Sequence, residues 1–268
     1  MKVLFCWLLA CMAWAGTAVT AQNTLRYYCP PCGGACDQEV FTAAGSCTHC
    51  GMTLLAQDSA SAERRQRDKK IKVLFYLQDG VEVLDFAGPL EVFSYAGFEV
   101  SVVSRTKAPI VSQGVLTIVP EYSIDDAPAA GIIAFFGGNT GRPSRDSAVL
   151  QWLLRSPAPD YYFSVCTGAF ILGRAGLLNN LTVTTFHESI DDLQKAVPRA
   201  RVLRDVRFVD NGNIITTAGI SAGIDGALHL VAKIRGRAMA EQVARYMEYD
   251  KWVPDQGLIA EKAVGQQP

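Results

Sequence analysis

The sequence predicts an α/β protein built on a mostly parallel sheet covered on both faces, preceded by a small cysteine-rich unit. Three observations predict it. From Ile71 onward, short apolar runs bounded by turn residues alternate with helix-like stretches. The runs carry little polar alternation, the texture of strands buried on both faces. Ahead of them, five of the eight cysteines fall between residues 29 and 50.

The elements follow in order. Residues 1–21 carry Lys2, an apolar run and small residues ending Val19-Thr20-Ala21. That is the pattern of a secretory leader cut after Ala21, so the mature chain is expected to be exported to the periplasm. The apolar core falls short of the ~20 residues a membrane span needs, and none is expected. Leu8-Leu9-Ala10-Cys11 also reads as a lipid-attachment box, which ranks a lipid-anchored variant second. Cleavage would remove Cys6 and Cys11 and leave six cysteines. Residues 22–55 form the cysteine-rich ribbon, and 56–70 are a charge-dense polar linker without apolar periodicity. The α/β domain is expected over 71–250 and a tail over 251–268. Its strands are read at 71–77, 98–104, 116–120, 131–136, 161–165, 182–186, 206–209 and 213–217. Helices are read near 84–96, 144–155, 168–175, 188–196, 220–234 and 237–248. A hydrophobic content of 49% and a net charge of −1 carry none of the basic bias of a nucleic-acid binder.

In the ribbon, Cys29-Pro-Pro-Cys32-Gly33 and Cys47-Thr-His-Cys50-Gly51 are two knuckles of Cys-x-x-Cys-Gly form. Two thiolates on one turn can face a common centre, and four around one ion suit tetrahedral zinc or another soft metal. Cys36 is a fifth thiol, and His49 and Met52 add donors. Disulfides are the alternative in an oxidising compartment, although five cysteines cannot all pair within the chain. The stretch from Tyr28-Cys29-Pro30 to Cys47-Thr48-His49-Cys50-Gly51-Met52 resembles the heavy-metal-binding domains of bacterial exported proteins. The resemblance implies a soft-metal site without naming the metal.

In the α/β domain, YYFSVCTGAF sets Cys166 between a strand ending at Val165 and a helix beginning near Thr167. Gly168 and Ala169 are small enough for a sharp turn and close packing of that helix. This is the logic of a nucleophile elbow. Free N–H groups at the helix start favour thiolate, lower the thiol pKa and can hold an oxyanion. The alternative is a simple buried thiol, since cysteine is often buried.

Five stretches in this domain resemble the ThiJ/PfpI superfamily, of glutamine-amidotransferase-like type, in the branch of isonitrile hydratases and AraC-type sensor domains. They are LQDGVEVLDFAGPLEVFS (77–94), FFGGNTG (135–141), SVCTGAFILGRAGLLNN (164–180), TVTTFHE (182–188) and VDNGNIITTAGISAGIDGALHLV (209–231). The resemblance implies a flavodoxin-like three-layer sandwich, a homodimer and a reactive cysteine, Cys166. It pairs that cysteine with an acid after the first strand, and Asp85 stands there. A carboxyl close to a thiolate is expected to carry a proton and hydrogen-bond to it, or to work as general acid and base. It can equally cap the following helix. Thr167 matches the hydratase motif. Gly137 and Gly138 match the turn that supplies backbone N–H groups opposite the elbow, with Phe136 where the family usually has proline. Ser221 and Ala222 fall where the family lines its pocket. His187 stands one place beyond the family's usual histidine, and is open between a catalytic role, the pocket rim and a helix cap. His229 and Glu188 read as a packed side chain and a first-turn charge.

The function expected is a cysteine-dependent hydratase or hydrolase of a small electrophile, with Cys166 as nucleophile, Asp85 as acid and base, and no cofactor in the α/β domain. The alternative is a periplasmic metal or redox sensor using the same pocket and ribbon. Regulators of this branch carry a DNA-binding domain after the α/β domain. The chain has about twenty residues after its last expected helix, so no nucleic acid partner is expected.

Overall fold

The computed structural model describes residues 25–30, 32, 34–56, 71–155, 157–254 and 256–260. The expected leader, nearly all of the linker and the last eight residues lie outside the described residues. An eight-stranded sheet forms the centre. Its strands are β1 Lys72–Tyr76, β2 Glu99–Ser104, β3 Tyr122–Ser123, β4 Ile132–Phe135, β5 Tyr161–Val165, β6 Phe208–Asp210, β7 Ile214–Thr217 and β8 Leu258–Ile259. Their order across the sheet is β8-β6-β7-β5-β4-β1-β2-β3. The six from β7 to β3 run parallel, while β6 pairs antiparallel with β7 and carries β8 alongside it.

Strand period explains the two faces. Val73 and Phe75 of β1 join one apolar cluster, and Leu74 and Tyr76 join the other. On the first face pack α1 Val83–Tyr95, α5 Ala222–Arg235 and α6 Arg237–Tyr246, through residues such as Phe93, Leu228 and Val243. On the second pack α2 Ser147–Arg155, α3 Ala169–Arg174 and α4 Ile190–Ala196, through Trp152, Leu172 and Leu193. The result is the three-layer α/β sandwich expected, with the sheet buried on both sides.

Several elements depart from the sequence reading. The run at 116–120 yields Leu116–Ile118, paired antiparallel with Ile110–Ser112 in a separate hairpin. The sheet edge is taken by Tyr122–Ser123 instead, because Leu116 and Val119 face solvent and offer the sheet no apolar face. The run at 182–186 is a strand only at Thr182–Val183, paired with Arg201–Val202 outside the main sheet. The chain beyond 250 contributes β8, so the domain's sheet extends past the boundary expected there.

The ribbon is a three-stranded antiparallel unit, with Tyr27–Tyr28 between Val40–Phe41 and Leu55–Ala56. Its small core is Leu54 with three buried cysteines, Cys29, Cys36 and Cys47. Among the described residues no helix is long and apolar enough to cross a membrane.

Candidate active site and thiol cluster

The α/β site forms at the carboxyl ends of β1, β4 and β5, where the strand order reverses direction and ligands of such sheets bind. The elbow is real. Cys166 follows β5 with φ of +58°, a left-handed conformation that costs a non-glycine residue energy. Neighbours hold it there. Its N–H donates to the Ala218 carbonyl at 3.1 Å, and its carbonyl accepts the Thr185 hydroxyl at 2.7 Å. A short 3-10 turn, Cys166–Gly168, then leads into α3. Gly168 permits the close approach, since a Cβ there would stand 2.3 Å from the Phe135 carbonyl oxygen.

Asp85 comes from the first turn of α1 and is fully buried. Its carboxylate oxygens accept the Gly137 N–H and the Ile220 N–H, each at 2.8 Å. The Cys166 thiol faces the same carboxylate across Gly137. The reading of Asp85 as a capping residue fails: α1 is flanked at its start by Glu82, and the carboxylate reaches across to two other loops instead. The space is closed to larger groups. A Cβ on Gly137 would lie 2.6 Å from Asp85 Oδ2 and 2.7 Å from Cys166 Sγ. Gln78 braces the same turn, donating to the Phe136 and Gly137 carbonyls at 3.2 and 3.1 Å.

Charge follows from this enclosure. Burial pushes Asp85 up to about 6, against the pull of the two N–H groups. Burial first and the Asp85 charge second push Cys166 up to about 12, against the Thr167 N–H directed at the sulfur. The expectation that the helix start would lower this thiol is therefore corrected. One N–H at a short turn is outweighed by desolvation and a facing carboxylate. At neutral pH the proton sits on sulfur and Asp85 is the ionised member.

The other expected residues separate into those brought in and those left out. Thr167 is at the site, its hydroxyl donating to the Gly138 carbonyl at 3.4 Å. Gly137 faces the elbow, but its N–H is spent on Asp85 rather than open to an oxyanion. Ser221 is not at the sulfur: it is exposed, and Arg207 donates to its hydroxyl at 3.3 Å. It is Ile220, one residue earlier and also left-handed at φ +57°, that reaches Asp85. His187 is 76% exposed, 3.8 Å from Glu188, and lines a groove with Thr185 and Arg207, the pocket-rim position among those expected for it. A 3-10 turn begins at His187 and carries it outward, while Phe186 points in. Phe186 packs with Cys166, and a Cβ on Gly219 would lie 2.5 Å from the Phe186 ring and 3.3 Å from Cys166 Sγ. Sequence reasoning missed Phe186, Gly219, Ile220 and Thr185. His229 is packed as expected, stacked on Phe208 and bonded to Asp210 at 2.8 Å. The wall of a groove of about 470 Å³ includes Thr167, whereas a cavity of about 760 Å³ opens at the opposite ends of the strands beside Lys72 and Tyr161.

The ribbon gathers its thiols. The sulfurs of Cys29, Cys32, Cys36 and Cys50 all lie within 4.8 Å of one another, an all-sulfur donor set that fits a soft metal ion. Cys29 touches Cys50, and Cys32 touches Cys36, each at 3.2 Å between sulfurs. The expected quartet had Cys47 where this set has Cys36. Cys47 stands outside that set, yet it shares one buried cluster with Cys29 and Cys36, against which Cys32 and Cys50 pack. The reason is local: the Gly34–Gln38 turn folds Cys36 back over the first knuckle. None of the six described cysteines is in a disulfide.

Comparison with known proteins agrees with the geometry. A sequence profile of the DJ-1/PfpI family matches residues 71–233. An isonitrile hydratase from Pseudomonas putida is 33% identical over 185 residues, 67% of this chain and 78% of the hydratase. The HTH-type transcriptional regulator CdhR of Pseudomonas aeruginosa is 25% identical over 177 residues, 63% of this chain but 52% of the regulator. The crystal structure of a ThiJ/PfpI family protein from Pseudomonas syringae superposes with a TM-score of 0.64 at 29% identity, covering 69% of this chain and 77% of that one.

Proposed function

The chain belongs to the DJ-1/PfpI family, and on that premise we propose that it is a cysteine-dependent enzyme that adds water to a small electrophilic carbon, with isonitriles as the first substrate class. One observation carries the reading: the Cys166 thiol is paired with a buried carboxylate that two backbone N–H groups hold in place. A thiol that needs its proton removed only during attack is suited by a base already in contact.

Asp85 takes the thiol proton as Cys166 Sγ bonds to the terminal carbon of R–N≡C. The same proton passes to that carbon, giving an enzyme-bound thioimidate, and Asp85 is a carboxylate again. Asp85 next takes a proton from water as the water oxygen adds to the carbon, and hands it to nitrogen. The C–S bond then breaks, the hydroxyl proton returns to sulfur through Asp85, and an N-substituted formamide leaves. The Thr167 N–H supports the sulfur while it carries negative charge. The test is turnover of a simple alkyl isonitrile to its formamide. Wild type is expected to be active, Cys166→Ala inactive and Asp85→Asn strongly impaired. Equal activity in wild type and Cys166→Ala would sink the proposal.

A second reading is a non-catalytic metal or redox sensor. It draws on the similarity to a transcriptional regulator and on a thiol held protonated at neutral pH. Saturable binding without turnover would select it. In either case we assign zinc or another soft metal to the ribbon, export to the periplasm, a homodimer as the assembly, and no nucleic acid partner.

A further inference from the structure

We propose that the ribbon is a two-ion site for monovalent soft cations of the copper(I) class, using all five thiols with one as a bridge. The inference rests on the assignment of a soft metal to the ribbon and goes beyond it in number, charge and ligand set.

The observation is an excess of sulfur. One tetrahedral ion consumes four thiolates, and the mutual set of Cys29, Cys32, Cys36 and Cys50 is sufficient for it. Cys47 is then left over, 2% exposed and in one buried cluster with Cys29 and Cys36, against which Cys32 and Cys50 pack. If the ion took the two knuckles instead, Cys36 would be left over in the same condition. The five thiols therefore form two overlapping groups that share Cys29 and Cys36. Cys32 and Cys50 stand in one group and Cys47 in the other.

Coordination arithmetic then selects the ion. Two tetrahedral divalent ions need eight metal–sulfur bonds, so five thiolates would have to bridge at three positions and crowd the two charges together. Two trigonal monovalent ions need six bonds, which five thiolates supply with a single bridge from the shared pair. Thiolate and thioether donors favour copper(I) by softness. A cleft of about 310 Å³ leads to the cluster, with Cys32, Cys36, Cys50 and the Met52 thioether on one wall and Arg245 of α6 on the other. It offers an entry lined by soft donors, and a cation facing a site that stays anionic when filled. Binding moves protons only: each thiol that becomes a ligand releases one, and no atom changes oxidation state.

The test uses the full chain with Cys6, Cys11 and Cys166 replaced by serine, so that only the five ribbon thiols remain. Copper(I) is added without oxygen against a colour-forming chelator, and the loaded protein is weighed by native mass spectrometry. X-ray absorption then reads copper–copper scattering. Two copper(I) ions per chain with a copper–copper signal are expected, falling to one ion in Cys36→Ser and in Cys47→Ser, with zinc binding one ion. One copper(I) per chain would overturn the two-ion site and leave the metal assignment standing. No binding of either ion would overturn both. Two ions retained in both serine variants would place copper elsewhere and overturn the proposal. The parent stoichiometry decides even where a serine variant fails to hold the ribbon.

Discussion

Cys166 and the ribbon thiols are buried to nearly the same degree, 6% exposed against 2% for Cys29, Cys36 and Cys47, yet they are chemically unlike. Burial alone does not set a thiol's role. What faces the sulfur does. Cys166 meets one carboxylate and one N–H, so its chemistry is the movement of a proton. The ribbon thiols meet one another, so their chemistry is the sharing of a soft cation. The elbow isolates a sulfur by strained backbone, whereas the knuckles collect sulfurs by short turns.

The comparison breaks most visibly at Cys166. Cys166→Ala should lower isonitrile turnover by about 10³-fold or more and Asp85→Asn by about 10²-fold, read as kcat, with both proteins still folded by circular dichroism. Loss of activity in Cys36→Ser to the same degree would erase the division between the two regions.

Stability against pH comes next. Asp85 ionises in the fold at about 6 rather than its ordinary 3.8, so the raised acid favours the fold while protonated. That stability is fully present below about pH 4 and is lost as pH rises through 6. The loss is on the order of 3 kcal/mol at one pKa unit per 1.36 kcal/mol. Urea unfolding at pH 4 and pH 7.5 should show this slope in wild type and not in Asp85→Asn. A flat wild-type profile would mean the carboxylate is better solvated than its enclosure implies.

Gly137→Ala should cost about 1–3 kcal/mol by overpacking and abolish turnover, since the new methyl would meet both Asp85 and Cys166. Thermal melting with an activity assay reads both. An active Gly137→Ala enzyme would show that the turn yields easily.

Alkylation of Cys166, followed by peptide mass spectrometry between pH 7 and 11, should be slow in wild type. It should rise at lower pH in Asp85→Asn, because removing the facing charge lets the thiol fall from about 12. An unshifted profile would detach the pair. The smallest effect is expected for His187→Ala, whose turnover should stay within about 2-fold, since the ring is largely exposed.

Much of this was legible before folding. Apolar runs without alternation announced a sheet covered on both sides, and β1, β4 and β5 lie where they were expected. Cys166 stood out at the end of an apolar run, where a parallel sheet gathers its ligands, and Asp85 through the motif in which the chain resembles the family. The groups that complete the site were not legible. Ile220 is 135 residues from Asp85 and contributes only its backbone N–H, which no residue type advertises. The exchange of His187 for Phe186 turned on where a 3-10 turn begins, a one-residue matter that reverses a side chain's direction. Likewise the pairing of Leu258–Ile259 with β6 could not be read, since two residues carry no period.

The sequence by itself determined the α/β class, the cysteine at a strand-to-helix turn, the acid motif that carries Asp85 and the crowding of five cysteines ahead of the sheet. These depend on local pattern and on residue chemistry, which act over a few neighbours. Only the tertiary structure decided the proton's place on sulfur, the use of the Gly137 N–H, the outward placement of His187 and Ser221, and the entry of Cys36 into the thiol cluster. Each of those depends on which groups from distant parts of the chain exclude water around a charge, and solvation is a property of the assembled fold.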